Sequence, residues 1–103
     1  MYRKDIAFEL KLVKENLVSL IERIDERIPK YRKGSLFVIN NYFYLKYYDH
    51  GKTVSLYLGK DLSKEKIDRI KLDIQNRKAL EKRKRMYLKE IKEIDKLIKR
   101  YDR

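Results

Sequence analysis

A run of basic residues is the most distinctive chemical feature of this 103-residue chain. Between Arg77 and Arg85, six of nine residues are basic and Glu81 is the only acid. Because like charges four residues apart on a helix repel each other, the run favours a partner that neutralises it, and phosphate groups are the commonest such partner. The alternative is a solvated helix face. The expected phosphate contacts are Arg77, Lys78, Lys82, Arg83, Lys84 and Arg85.

Tyrosine supplies the second candidate surface. Nine tyrosines occur in the chain, and five of them lie between residues 42 and 57. Rings of this kind, with Lys46 between them, can stack on unpaired bases or lie against a DNA groove, while the hydroxyl groups of Thr53 and Ser55 reach phosphate oxygens. The alternative is that the rings fill a half-buried pleated surface. The residues expected to form the surface are Tyr42, Tyr44, Lys46, Tyr48 and Tyr57.

Catalytic and metal chemistry are poorly represented. The chain has no cysteine, and its one histidine, His50, precedes Gly51 in a turn sequence, so no nucleophile with an oriented base is expected. Gly34 and Gly59 are single glycines and do not form a phosphate-binding loop. The carboxylates on the C-terminal helix alternate with bases and are interpreted as surface ion pairs. We therefore expect no enzyme activity, no metal and no cofactor.

The formal net charge of +12 predicts an anionic partner: nucleic acid or an acidic protein surface. The first residues show no signal-peptide pattern, and no stretch of about 20 uncharged residues suits a membrane. We expect a soluble, cytoplasmic protein with no membrane partner.

A helix is predicted over residues 3–28. Pro29 ends it, because proline cannot continue the hydrogen-bonding pattern and restricts the residue before it. The apolar residues recur with the alternating three- and four-residue spacing of a helical seam. The predicted seam is Ile6, Leu10, Val13, Leu17, Leu20 and Ile24, widened by Ile21 and Ile28.

Residues 35–58 predict a three-stranded antiparallel meander, with strands at 35–39, 42–48 and 52–58. Its turns are expected at Asn40-Asn41 and His50-Gly51, residues that tolerate positive φ. Two-residue turns place Tyr42, Tyr44, Tyr48 and Tyr57 on one face. The opposite, apolar face then carries Leu36, Val38, Phe43, Leu45, Tyr47, Val54, Leu56 and Leu58.

A long helix is predicted over residues 63–101, beginning at an N-cap, Ser63. Its apolar residues form two stripes in different registers. Ile67, Ile70 and Ile74 are expected to cover the sheet, whereas the stripe from Leu80 to Tyr101 pairs with the first helix. The predicted fold is α+β, a single domain over residues 1–103, in which the helices form an antiparallel coiled-coil-like hairpin.

Parts of the meander resemble known proteins. Lys-Gly-Ser-Leu at 33–36, Asn-Tyr-Phe-Tyr-Leu-Lys-Tyr at 41–47 and Tyr-Leu-Gly-Lys at 57–60 resemble short bacterial and phage proteins that place such a meander between two charged helices. The segment from Gly34 to about Gln75 also resembles the arm-binding domain of tyrosine recombinases. That resemblance implies a sheet set into the major groove of DNA.

The leading hypothesis is a small non-enzymatic module that binds DNA or RNA through the basic helix segment and the tyrosine-rich sheet face. The alternative is a mobile-element protein that inhibits a host protein by occupying that protein's nucleic-acid channel or binding its acidic surface. A homodimer formed through the first helix is a third hypothesis.

Overall fold

The predicted α+β architecture is confirmed by the computed structural model, which describes residues 2–101. An N-terminal helix and a long C-terminal helix flank a three-stranded antiparallel sheet in the order β1-β2-β3. The elements are α1 (Tyr2–Arg27), a 3-10 turn (Ile28–Lys30), β1 (Ser35–Ile39), β2 (Tyr42–Asp49), β3 (Lys52–Lys60) and α2 (Lys64–Tyr101).

The sheet has the register that two-residue turns predict. Leu36 lies opposite Leu45, and Tyr47 lies opposite Val54. All four central turn residues have φ between 47° and 80°. This left-handed conformation suits the twist of a tight hairpin and is accessible to asparagine and glycine, which explains the residues found at both turns.

A β-bulge interrupts the register near the end of β3. Tyr44 pairs with Tyr57, whereas the preceding Phe43 pairs with Gly59, so Leu58 is an extra residue on β3. The strand then continues to Lys60, which pairs with Tyr42. An extra residue reverses the alternation of side chains, and here it turns Lys60 towards the face that carries Tyr42.

Contacts divide the chain into two compact units, and the first comprises Pro29–Ala79. In this sheet unit, the first stripe of α2 covers the apolar face of the sheet, as predicted. Leu45, Ile70 and Ile74 are buried together, and the partly buried residues packed on them are Leu36, Tyr47, Leu58 and Leu62. Ser63 caps α2 as expected, because its Oγ accepts a hydrogen bond of 3.2 Å from the Lys66 amide.

The helix leaves part of the predicted apolar face uncovered. Val38 and Leu56 are 51% and 46% exposed, although they share a face with the buried Phe43 and Leu45. A single helix about 10 Å wide covers the central strand of a sheet better than its edges. Val38 and Leu56 lie on the two edge strands.

The second unit is made of two segments of the chain. One is α1 together with Ile28, and the other is α2 from residue 80 onward. Two ion pairs show that these helices run antiparallel: Lys14 Nζ lies 2.6 Å from Asp95 Oδ1, and Lys84 Nζ lies 2.6 Å from Asp25 Oδ1. Lys14 and Asp25 are eleven positions apart on α1, and Lys84 and Asp95 are eleven positions apart on α2 in the opposite direction. The predicted helical hairpin is therefore present, and we call it the helical unit.

The seam on α1 is rotated from the predicted one. Ala7, Leu17, Ile21 and Ile24 are buried, whereas three predicted seam residues are exposed: Ile6 at 39%, Val13 at 47% and Leu20 at 37%. The buried line contains the position of Lys14, whose ammonium group contacts Asp95 on α2. A lysine stem packs on apolar neighbours while its charge stays at the surface, and a sequence pattern of apolar residues alone misses it.

Candidate nucleic-acid interface

The residues of the tyrosine-rich face lie together on the side of the sheet opposite its helix-covered face. Alternation along β2 places Tyr42, Tyr44, Lys46 and Tyr48 there, and Tyr57 lies opposite Tyr44. Tyr42, Tyr48 and Tyr57 are exposed to 38%, 69% and 54%. We call this surface the tyrosine face.

Three of its rings form a cluster. The Tyr57 ring lies 5.5 Å from that of Tyr44 and 6.3 Å from that of Tyr42, measured between centroids. The interplanar angles are 52° and 41°, so the rings are tilted rather than stacked on each other. Tilted neighbours leave parts of their faces open, which is the geometry that an incoming planar group requires.

Two lysines lie over rings of the same face. Lys46 Nζ is 4.4 Å from the centroid of Phe37, and Lys60 Nζ is 5.2 Å from that of Tyr42. Each cation–π contact at such a surface contributes about 0.5–1 kcal/mol. Phe37 and Lys60 were not among the predicted site residues. For Lys60 the available signal was Gly59, since a glycine inside a strand pattern often marks a bulge.

The tyrosine face carries positive charge without a counterion of its own. Among the strand residues on this face, Lys46 and Lys60 are charged and there is no carboxylate. The one acid of the strands, Asp49, alternates to the other face, where its carboxylate lies 3.8 Å from Lys33 Nζ. An anion approaching this face therefore meets ammonium groups and aromatic rings.

Gly34 supports the backbone at Lys46. It has a φ of +105°, and a Cβ placed there would overlap the Lys46 carbonyl and lie 2.9 Å from the Cβ of Tyr47. Only glycine fits this close approach without displacing the strand.

Two of the six predicted phosphate contacts have structural partners. In the sheet unit, the half-buried Arg77 donates a hydrogen bond of 3.0 Å to the carbonyl of Tyr31. In the helical unit, Lys84 forms the 2.6 Å contact with Asp25. Both side chains stabilise their own unit.

The other four basic residues are exposed: Lys78 in the sheet unit, and Lys82, Arg83 and Arg85 in the helical unit. The spacing of Lys78, Lys82 and Arg85 places them on one side of α2. Arg83 projects from another side. The run is therefore divided among several sides of the helix.

Two acids of α2 bind cations on other segments. Asp73 Oδ2 accepts a 2.8 Å hydrogen bond from the Arg32 amide and lies 3.8 Å from the Arg32 Nε. Asp95 contacts Lys14. Within residues 2–101, no three His, Cys, Asp or Glu residues are grouped as a metal site would require. Nor does this part of the chain contain a helix with the length and apolarity needed to cross a membrane.

No protein-family model, curated protein or solved structure matches this chain. The resemblance to phage proteins and recombinase domains stays a prediction.

Proposed function

We propose that this protein is a non-enzymatic nucleic-acid-binding module whose tyrosine face takes unpaired bases. The observation that carries the proposal is the open face itself, which combines a cluster of half-exposed rings and two ammonium groups and has no carboxylate among its strand residues. A surface made only for packing would be covered, and one made only for solubility would not carry so many rings.

Stacking would supply most of the affinity on this face. Each base that stacks on an aromatic side chain contributes about 1–3 kcal/mol, with little dependence on its identity. Lys46 lies over Phe37 and Lys60 over Tyr42, and both ammonium groups would move from ring to phosphate when a strand binds. The proposal therefore predicts weak sequence preference and a clear dependence on salt.

The exposed basic residues of α2 would add phosphate contacts. Lys78, Lys82, Arg83 and Arg85 are available for this role, whereas Arg77 and Lys84 are engaged in holding their units together.

The test replaces two clustered rings, as Tyr44→Thr with Tyr57→Thr. Threonine is β-branched and suits a strand, so the sheet should persist. Fluorescence anisotropy with labelled single-stranded DNA and RNA of mixed sequence should show at least about tenfold weaker binding, equivalent to one lost stacking contact.

The matched control is Tyr44→Phe with Tyr57→Phe, which keeps the rings and removes only the hydroxyl groups. It should bind nearly as well as the native protein. A folded threonine variant, verified by circular dichroism, that binds as tightly as the native protein would refute the role of the tyrosine face.

We also propose self-association through α1. Ile6, Val13 and Leu20 recur every seven residues and stay 37–47% exposed, as expected of a line that meets a second copy of the chain. Sedimentation should give twice the 12.7 kDa mass of the chain, and Val13→Glu should return it to one. A native protein that sediments as a monomer at high concentration would exclude the dimer.

A further inference from the structure

The outer side of α2 in the helical unit carries a stripe of cations that extends well beyond the predicted basic run. Its six members are separated by alternating three and four residues, and all are exposed. This spacing keeps them on one side of the helix over about 25 Å, at 1.5 Å per residue. The stripe consists of Lys82, Arg85, Lys89, Lys92, Lys96 and Lys99.

The stripe lies across the helix from the seam that faces α1. Lys82, Lys89 and Lys96 each follow a seam residue by two positions, a rotation of about 200° on an α-helix. Those seam residues are Leu80, Tyr87 and Ile94, which are buried or half-buried. The pairing of α1 with α2 therefore leaves the cations free to meet a partner.

Three carboxylates lie four residues from a member of the stripe: Glu81, Glu93 and Asp95. Asp95 is bound by Lys14, on the α1 side. Glu93 contacts Lys96 at 3.4 Å, but both side chains are about two-thirds exposed, at 71% and 67%, and such a pair is weak and screened by salt. The six cations still outnumber the three nearby carboxylates, so the stripe is a line of net positive charge.

We propose that this stripe binds the sugar–phosphate backbone of a nucleic-acid duplex. The inference rests on the proposed function for the kind of partner, and it adds a second surface and a second strand. A duplex is a rigid polyanion that presents about fifteen phosphates over 25 Å, so a straight helix with fixed cations matches it without ordering a flexible chain.

Two features favour a duplex over other polyanions. None of the six residues is aromatic, so the stripe has nothing on which unpaired bases could stack. A helix that binds a membrane surface inserts a continuous apolar face opposite its charges. Here the apolar seam opposite the stripe is packed against α1, and the exposed apolar residues Met86, Leu88 and Leu97 do not form one line on the helix.

The test is a salt titration with a labelled duplex DNA of about 20 base pairs. Six phosphate contacts predict that log K falls with log salt with a slope of about −5. The variant Arg85→Gln/Lys89→Gln/Lys92→Gln, in which glutamine preserves helix propensity, should reduce the magnitude of that slope by about 3 and weaken binding at least tenfold near 0.1 M salt.

A matched control removes three exposed cations from the sheet unit, as Lys30→Gln/Lys52→Gln/Lys64→Gln. It changes the net charge equally and should keep the native slope to within about one. If the stripe variant and this control behave alike, or if the native protein does not bind the duplex, the inference is wrong.

The two proposals fail separately. Duplex binding that depends on the stripe, together with single-strand binding that is unaffected by Tyr44→Thr/Tyr57→Thr, would leave the stripe and remove the tyrosine face. The reverse result would remove the stripe alone. Stripe-dependent binding to phosphatidylserine vesicles that is tighter than duplex binding at the same salt would also overturn the inference.

Discussion

Two lysines only two positions apart on α2 differ in what they contact. Lys84 lies 2.6 Å from Asp25, whereas Lys82 belongs to the exposed stripe. Lys82→Gln should lower the magnitude of the duplex salt slope by about 0.9, and Lys84→Gln should leave it unchanged. The half-exposed Lys84 pair should contribute less than about 1 kcal/mol to the free energy of unfolding. Equal slopes for both variants would contradict this distinction.

Gly34 provides a residue-scale test of the sheet. Gly34→Ala should lower the free energy of unfolding by about 1–3 kcal/mol, because alanine is strained at a φ of +105° and its Cβ would overlap the Lys46 backbone. Gly51→Ala is the control, since its φ is also positive but the space around it is open. Urea denaturation measures both. A smaller loss for Gly34→Ala than for Gly51→Ala would show that the close approach to Lys46 is unimportant.

At the scale of elements, local signals predicted the boundaries of the helices and strands, whereas two details that depend on long-range contacts were missed. Ser63, the two-residue turns and Pro29 act on neighbouring residues, and each determines a boundary that the structure confirms. The rotation of the α1 seam depends on which residues of α2 lie opposite. The bulge at Leu58 depends on how β3 pairs with β2. The first dependence is not visible in a local pattern, and the local sign of the second was Gly59.

The same distinction applies to the candidate site. Alternation along the strands predicted the tyrosine face as a set, whereas Lys60 reached it only because of the bulge. The basic run from Arg77 to Arg85 was predicted from its local excess of positive charge. The sequence did not show that Arg77 and Lys84 stabilise the fold while the other members stay exposed. That distinction depends on their contacts with Tyr31 and Asp25.

The cap at Ser63 is the element whose contribution is simplest to measure. Ser63→Ala removes the oxygen that accepts from the Lys66 amide and should cost about 1 kcal/mol of stability. Ser63→Asp restores an acceptor and should match or exceed the native stability, because a negative charge also suits a helix N-terminus. Thermal unfolding followed by circular dichroism compares the three proteins. Equal midpoints for Ser63→Ala and the native protein would mean that the cap is energetically silent.

At the scale of the whole molecule, the net charge of +12 is consistent with both proposed surfaces, because each of them is positively charged. The tyrosine face combines rings with two lysines, and the stripe on α2 combines six cations without rings. A chain so basic would attract any polyanion weakly, so total charge cannot separate specific surfaces from a general field. Variants with equal charge change at different places do separate them.

The most direct test of the central claim is an anisotropy titration of labelled single-stranded DNA and RNA with protein freed of bound nucleic acid by nuclease treatment and high-salt washing. We expect saturable binding that weakens linearly in log salt and that falls at least about tenfold in Tyr44→Thr/Tyr57→Thr but not in Tyr44→Phe/Tyr57→Phe. Absence of saturable binding at low salt, from protein that is folded by circular dichroism, would contradict the account.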